Sequence, residues 1–255
     1  MNPIYDFRGQ VALVTGAAAG MGLATARAFA QSGASVVLTD RDGKRAAKEA
    51  ANIVAEGGIA IGVLCDVSDE AQVAAVVERT IKEYGRLDMA FNNAGVMAKL
   101  APTAEATSEE FDRVIGINLR GMWLCMKYEL QQMQRQGSGA IVNNASVGAL
   151  TGNPSIGSYI ASKHGVVGLT RTAGLEYCKQ GIRVNAVNPG TIDTQIARDV
   201  VGGSDEAFAK LGASAPIGRA GRPEEIASAV LWLCSSAASY VIGEALTVDG
   251  GLTVQ

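Results

Sequence analysis

Val11–Gly22 reads VALVTGAAAGMG, and the fold turns on this stretch. The apolar run Val11 to Val14 ends in Thr15, Gly16 and three alanines before Gly20 and Gly22 open a helical pattern through Ala24, Ala28 and Phe29. That order describes a short strand, a glycine turn and a helix N-terminus. Glycines let main chain approach a ligand closely, and free N–H groups at the positive end of a helix dipole stabilise a phosphate. A pyrophosphate is the ligand such a turn is shaped to hold. The spacing Gly16-x3-Gly20-x-Gly22 is one residue longer than the GxGxxG fingerprint, and no P-loop lysine accompanies it. Asp40 follows the second apolar run, Ser35–Thr39, 18 residues beyond Gly22. A carboxylate there accepts from both hydroxyls of an adenosine ribose and repels a 2′-phosphate, so the pair points to NAD over NADP.

Outward from this unit the same alternation continues. A charged amphipathic run, Gly43 to Glu56, stops at Gly57-Gly58, and a third apolar run, Ile59–Leu64, ends in Cys65-Asp66-Val67. Ser68 with Asp69 and Glu70 supplies a cap and first-turn charge for a helix to about Tyr84. Leu87–Phe91 reads as a fourth strand, ending in Asn92-Asn93-Ala94-Gly95. Thr107 with Glu110 fits a capping box for one long helix stopped by Gly137–Gly139. A fifth strand, Ala140–Ala145, leads into the polar loop Ser146–Ser158 and a helix from Tyr159 to about Lys179. The sixth strand, Ile182–Val187, ends in Asn188-Pro189-Gly190, Thr191–Arg222 is the least regular segment, and Pro223 opens a last helix before a seventh strand, Ala245–Val248. Short apolar strands alternating with helices predict an α/β fold over 1–255: a single-domain, doubly wound, seven-stranded parallel sheet of Rossmann type with helices on both faces.

The whole chain narrows the function classes. With 255 residues, 48% hydrophobic content and a formal charge of −3, the chain can build a continuous core and offers nucleic acid no basic surface. No run reaches the roughly 18 apolar residues of a membrane span, and MNPIYDFRG lacks a signal peptide's basic and apolar regions. A cytoplasmic protein is expected. Cys65, Cys125, Cys178 and Cys234 share no metal-ligand spacing and read as reduced core residues, while the single histidine, His164, cannot build a multi-histidine site, so no metal is expected.

Tyr159 and Lys163 stand four apart on one helix, hence about one turn apart on one face. A phenol is a poor acid–base group at neutral pH, but a nearby ammonium and an oxidised nicotinamide both favour the phenolate. Ser146 offers a hydroxyl for a substrate oxygen as charge develops on it, and Asn118, pointing inward from mid-helix, would bridge by a water toward Lys163. Read singly, each has a plainer meaning: Ser146 a loop cap, Asn118 a local backbone partner, Asp40 and Asn92-Asn93 turn residues, Asp66 a helix cap. Their shared position at the carboxyl ends of strands is what favours one site.

The sequence closely resembles the classical short-chain dehydrogenase/reductase family over essentially its whole length. The family's TGxxxGxG motif is matched by Thr15-Gly16-Ala17-Ala18-Ala19-Gly20-Met21-Gly22, its NNAG motif by Asn92-Asn93-Ala94-Gly95 and its YxxxK motif by Tyr159-Ile160-Ala161-Ser162-Lys163. The serine partner stands 13 residues earlier as Ser146, the helix asparagine is Asn118, and the PG motif is Pro189-Gly190. The resemblance implies a catalytic set of Asn118, Ser146, Tyr159 and Lys163. It implies a cofactor-binding set of Gly16, Gly20, Met21, Gly22, Asp40, Arg41, Asp66, Val67, Asn93, Ala94, Gly95, Tyr159, Lys163, Pro189, Gly190, Thr191, Ile192 and Thr194. Within it Asp66 and Val67 meet adenine, and Thr191 and Thr194 meet the nicotinamide carboxamide and neighbouring phosphate. Arg41 departs from a strictly NAD-binding pattern, because a basic residue there meets a 2′-phosphate in relatives.

The expected activity is interconversion of a secondary alcohol and a ketone with NAD (NADH). Loops exposing Met97, Leu100, Leu150, Ile156, Ile192, Ile196 and Val200 suit a medium-sized, largely apolar or cyclic small molecule. Arg198, Lys210 and Arg219 keep a 3-oxoacyl-thioester reductase using NADPH as the alternative, and a non-catalytic dinucleotide-binding protein is the remote one. Segment 191–221 is expected to be a mobile substrate lid. The resemblance also implies a homotetramer built through helices 107–136 and 158–179 and the C-terminal region.

Overall fold

The computed structural model describes residues 5–255; residues 1–4, the start of the stretch read for a targeting signal, lie outside them. Strand β1 is Val11–Thr15, followed by α1 (Gly20–Gln31), β2 (Ser35–Asp40), α2 (Gly43–Ala55), β3 (Ile59–Leu64), α3 (Glu70–Tyr84) and β4 (Met89–Asn92). Helix α4 (Ser108–Ile115) runs through a π-helical segment, Gly116–Gly121, into α5 (Met122–Gln136). Then come β5 (Gly139–Asn144), α6 (Gly157–Tyr177), β6 (Ile182–Pro189), α7 (Gln195–Val200), α8 (Asp205–Ala213), α9 (Pro223–Cys234) and β7 (Ala245–Val248).

All seven strands join one parallel sheet in the order β3-β2-β1-β4-β5-β6-β7. The winding reverses between β1 and β4, and that reversal opens a crevice beyond the carboxyl ends of the strands. Helices α3, α5 and α6 cover one face with side chains such as Val73, Leu124 and Val166; α1, α2 and α9 cover the other with Phe29, Ile53 and Ile226. Phe29 is fully buried, with its ring edge against Phe7 at 5.6 Å, so truncation to alanine would cost about 3–5 kcal/mol. No helix among the described residues is long and apolar enough to cross a membrane.

Several boundaries depart from the sequence reading for physical reasons. The continuous apolarity of Ile59–Leu64 implied burial on both faces, yet β3 is an edge strand with Ile59 and Leu64 more than half exposed. β4 starts at Met89 rather than Leu87, because the Leu87 N–H turns to the Gln136 side chain at 2.9 Å. β6 extends through Pro189 because β7 pairs along it as far as Val248. The long helix from Thr107 is interrupted by the π segment that contains Asn118. Only half of the expected capping box forms: Thr107 Oγ1 accepts from Glu110 N at 3.2 Å, but the Glu110 carboxylate turns to Lys99 N and Arg113. At α3 the cap is Asp69, not Ser68, whose hydroxyl instead donates to Asp66.

Candidate active site

The glycine turn is forced by its neighbours. Gly16 and Gly20 have φ of +61° and +55°, a region that side-chain-bearing residues rarely adopt. A Cβ on Gly16 would lie 2.9 Å from Ala94 Cα, and one on Gly22 would collide with the Gly16 carbonyl oxygen. Helix α1 begins here with no side chain capping it, so its first N–H groups face the crevice. The turn is held from β4: Thr15 Oγ1 accepts from Asn93 N and Ala94 N at 2.9 and 3.0 Å, and Asn93 Nδ2 donates to the Thr15 and Gly16 carbonyls. Such a cradle, with an uncapped helix end, fits a pyrophosphate.

Asp40 closes one side. Its carboxylate accepts from Ala18 N at 3.1 Å and Asp42 N at 3.0 Å, leaving further lone pairs for a ribose, while Arg41 beside it is exposed. Asp66 accepts from the Ser68 amide and hydroxyl at 2.9 and 2.6 Å. Val67 and Ile192 turn their side chains into the core.

On the other side Lys163, 4% exposed, donates from Nζ to the Asn144 carbonyl at 2.7 Å, and burial pulls its pKa down to about 8. The Asn144 amide donates to Asn93 Oδ1 at 3.0 Å, so Lys163 is joined to the glycine turn through two asparagines. Lys163 Nζ lies 5.6 Å from the centre of the Tyr159 ring. Burial raises the Tyr159 phenol, and a hydrogen bond with Ser146 pulls the other way. Ser146 Oγ also accepts from Gly148 N at 3.0 Å, and a Cβ on Gly148 would lie 3.4 Å from that oxygen and 3.5 Å from Tyr159 Cε1.

The Asn118 side chain is anchored on the loop that follows β4. Its amide clamps Val96, accepting from the N–H at 2.8 Å and donating to the carbonyl at 2.9 Å, with a third bond to Ser162 Oγ at 3.3 Å. A Cβ on Gly95 would lie 3.2 Å from Asn118 Oδ1 and 3.8 Å from Lys163 Nζ, so the two side chains flank Gly95 while the Asn118 amide is engaged elsewhere.

Segment 191–221 is closed at its neck by a parallel bridge between Ile192 and Gly221. Thr194 caps α7 and sets its methyl 3.1 Å from where a Gly20 Cβ would stand. Gly190 is packed against Asp249, behind the end of β7. Of the apolar residues expected to face a substrate, Leu100, Leu150, Ile196 and Val200 are exposed, whereas Ile156 and Ile192 are buried. The three cations kept for an anionic substrate are paired internally: Arg198 with Asp193 and Asp205, Lys210 with Glu206, Arg219 with Glu225. Sequence reasoning missed Asn144, Glu129 and Asn143; the available signal was a pair of amides, Asn143-Asn144, closing an otherwise apolar strand.

Residues 16–253 match a family model described as enoyl-(acyl carrier protein) reductase. The chain is 45% identical over 252 residues to a cis-4-hydroxycyclohexanecarboxylate dehydrogenase of Sinomonas cyclohexanicum, covering 97% of this chain and 98% of that protein. The crystal structure of levodione reductase superposes with a TM-score of 0.94 at 40% identity, covering 97% of this chain and 99% of that one. A putative NAD(P)-dependent gluconate 5-dehydrogenase from Beutenbergia cavernae, with bound NADP at low occupancy, gives 0.92 at 35% identity, covering 99% and 100%. With its parallel sheet, glycine turn and Tyr159/Lys163 helix, the chain belongs to the classical short-chain dehydrogenase/reductase family.

Proposed function

We propose that the protein is an NAD(H)-dependent dehydrogenase that interconverts a secondary alcohol and a ketone on a medium-sized, largely apolar, cyclic substrate. The observation that carries this reading is the continuous run from Lys163 through Asn144 and Asn93 to the glycine turn, which locks an acid–base helix to a dinucleotide cradle. Gly16, Gly20, Met21 and Gly22 hold the pyrophosphate, Asp40 the adenosine ribose, Asp66 and Val67 the adenine. Asn93, Ala94 and Gly95 form the wall between the two halves, and Pro189, Gly190, Thr191, Ile192 and Thr194 flank the nicotinamide. When bound, the dinucleotide supplies or accepts hydride at C4 of its nicotinamide.

Ser146 donates to the substrate oxygen, Tyr159 gives or takes the hydroxyl proton, and Lys163 holds the nicotinamide ribose and favours the phenolate. Asn118 supports a water relay toward Lys163 and keeps Val96 in place beside Gly95. A cyclic substrate is supported by the exposed apolar residues Leu100, Leu150, Ile196 and Val200 on the segments that follow β4, β5 and β6, and by the name of the cyclohexane-ring relative. The internal pairing of Arg198, Lys210 and Arg219 weighs against an acyl-thioester substrate. The second reading, NADPH-dependent reduction of a 3-oxoacyl thioester, is favoured by exposed Arg41 next to Asp40. Residues 191–221 form the substrate lid. Exposed Phe111, Trp123 and Leu175 support a homotetramer built through helices 107–136 and 158–179 and the C-terminal region, which light scattering tests directly; the cytoplasm is the address we propose.

The deciding experiment is NADH and, in parallel, NADPH oxidation across cyclic, aliphatic and aromatic ketones and an acetoacetyl thioester, with Y159F as control. NADH-dependent turnover of a cyclic ketone is expected. A rate confined to NADPH and the thioester replaces the reading with the second one, and silence with every substrate favours a non-catalytic binder.

A further inference from the structure

Beneath the dinucleotide cradle lies a carboxyl group to which the hydride chemistry assigns no task. Glu129 on α5 is fully buried and forms no ion pair among the described residues. Its Oε2 accepts from Asn92 Nδ2 at 2.9 Å, and Asn92 also donates to Asn143 Oδ1 at 3.0 Å. Asn143 in turn donates to Thr170 on α6, the helix that carries Tyr159 and Lys163, at 2.9 Å. This row lies one residue before the row that builds the site: Asn92 precedes Asn93, and Asn143 precedes Asn144.

The other carboxyl oxygen, Oε1, has no hydrogen-bond partner among the described residues, nor does buried Thr39 Oγ1, which has only the weak Cys65 thiol beside it. Both residues line one internal cavity of about 10 Å³, together with Thr15 and Cys65. The surface that faces this space is apolar, so both oxygens stay sealed without a partner. Thr15, Thr39 and Cys65 are the residues immediately before Gly16, Asp40 and Asp66.

We propose that Glu129 is a positioning residue for the dinucleotide, acting through Asn92, the residue that precedes Asn93 of the cradle. The inference rests on the dinucleotide-binding reading above. Burial raises the Glu129 pKa to about 7, so its charge changes across neutral pH. The groups facing it are otherwise neutral: the strands offer Thr15, Thr39, Asn92 and Asn143, α3 offers valines and α6 Thr170. The thiols of Cys65 and Cys125 are pushed up by burial and stay protonated; Asp66 and Asp69 lie past Cys65 and raise its thiol further. A new negative charge under a bound pyrophosphate is unfavourable, so binding favours protonated Glu129 and, by linkage, affinity falls as pH rises through 7. A coupling of about one pKa unit corresponds to a roughly tenfold weakening.

The test is NADH fluorescence titration of the intact protein from pH 6 to 8, comparing wild type with Glu129→Gln, which keeps the acceptor for Asn92 and cannot ionise. Lys163 also titrates near the top of this range, so the difference between the two profiles is the readout. The wild-type Kd is expected to rise about tenfold and that of Glu129→Gln markedly less. Superimposable profiles overturn the proposal. Should Glu129→Gln not fold, Asn92→Ala decides: without the amide that donates to Oε2, the carboxylate is harder to form and the midpoint moves to higher pH. An unmoved midpoint overturns the role. Failure of wild type to bind NADH at any pH would instead overturn the dinucleotide reading on which the role depends.

Discussion

Lys163 Nζ donates to the main-chain carbonyl of Asn144 at 2.7 Å, so the ammonium is anchored to the carboxyl end of β5. The cost of that placement is visible in its pKa, drawn by burial from 10.5 to about 8. Because the unfolded chain keeps the higher value, it binds more protons between these limits. Stability therefore rises with pH from 8 to 10.5, and the burial penalty is fully present below 8. Lys163→Met should abolish ketone turnover yet raise the stability of the cofactor-free protein at pH 7 by about 1–3 kcal/mol, with the orphaned Asn144 carbonyl offsetting part of the gain. Thermal melts of both proteins at pH 7 and pH 10 check this. A gap that does not narrow at the higher pH contradicts the assignment.

Tyr159→Phe removes the phenol that bonds with Ser146. Turnover should fall by roughly 10²–10⁴ while the NADH Kd stays within about twofold, because the hydroxyl acts on the proton of the substrate. Steady-state rates and NADH fluorescence separate the two effects. Undiminished turnover would remove Tyr159 from acid–base work.

Asp40→Ser keeps a short acceptor for Ala18 N but removes the negative charge. The kcat/KM ratio of NADPH to NADH should rise at least about tenfold, with exposed Arg41 then free to meet a 2′-phosphate. An unchanged ratio assigns cofactor choice elsewhere.

Gly22→Ala tests packing without a backbone-angle penalty, since Gly22 is an ordinary helical residue whose Cβ would strike the Gly16 carbonyl oxygen. Midpoints in urea should drop by an amount equivalent to about 1–3 kcal/mol, and NADH binding should weaken with them. Wild-type behaviour in both would mean that the turn yields more readily than its contacts imply.

Arg198 holds α7 to α8 by pairing with Asp193 and Asp205 and by lying 4.6 Å from the centre of the Phe208 ring. Arg198→Ala should make residues 191–221 more sensitive to limited proteolysis, and NADH with substrate should restore protection in wild type more fully than in the variant. Equal cleavage with and without ligands in wild type would count against a lid.

Much of this architecture is legible along the chain because it depends on neighbours. All seven strands and the order of helices follow from apolar runs separated by amphipathic ones, and β7 at Ala245–Val248 matches its sequence reading to the residue. Boundaries slipped where a distant partner intervened, as at Leu87 with Gln136, 49 residues away. The π segment around Asn118 is hidden for a related reason: its amide is held by Val96, 22 residues earlier. Ser146, Tyr159 and Lys163 could be singled out from spacing, but their electrostatics could not, since burial acts through surroundings that spacing does not describe.

By itself the sequence determined what local periodicity and residue chemistry govern: alternating strands and helices, a glycine turn before a helix, and polar residues at strand ends. Only the tertiary structure decided the strand order, the burial of Glu129 beneath the cradle, the internal pairing of Arg198, Lys210 and Arg219, and the link from Lys163 to the glycine turn. Key bonds in that link and beneath it join residues far apart in the chain, Asn144 to Asn93 across 51 positions and Asn92 to Glu129 across 37. They exist because crossover helices bring β1, β4 and β5 side by side, and no pattern within one segment encodes that adjacency.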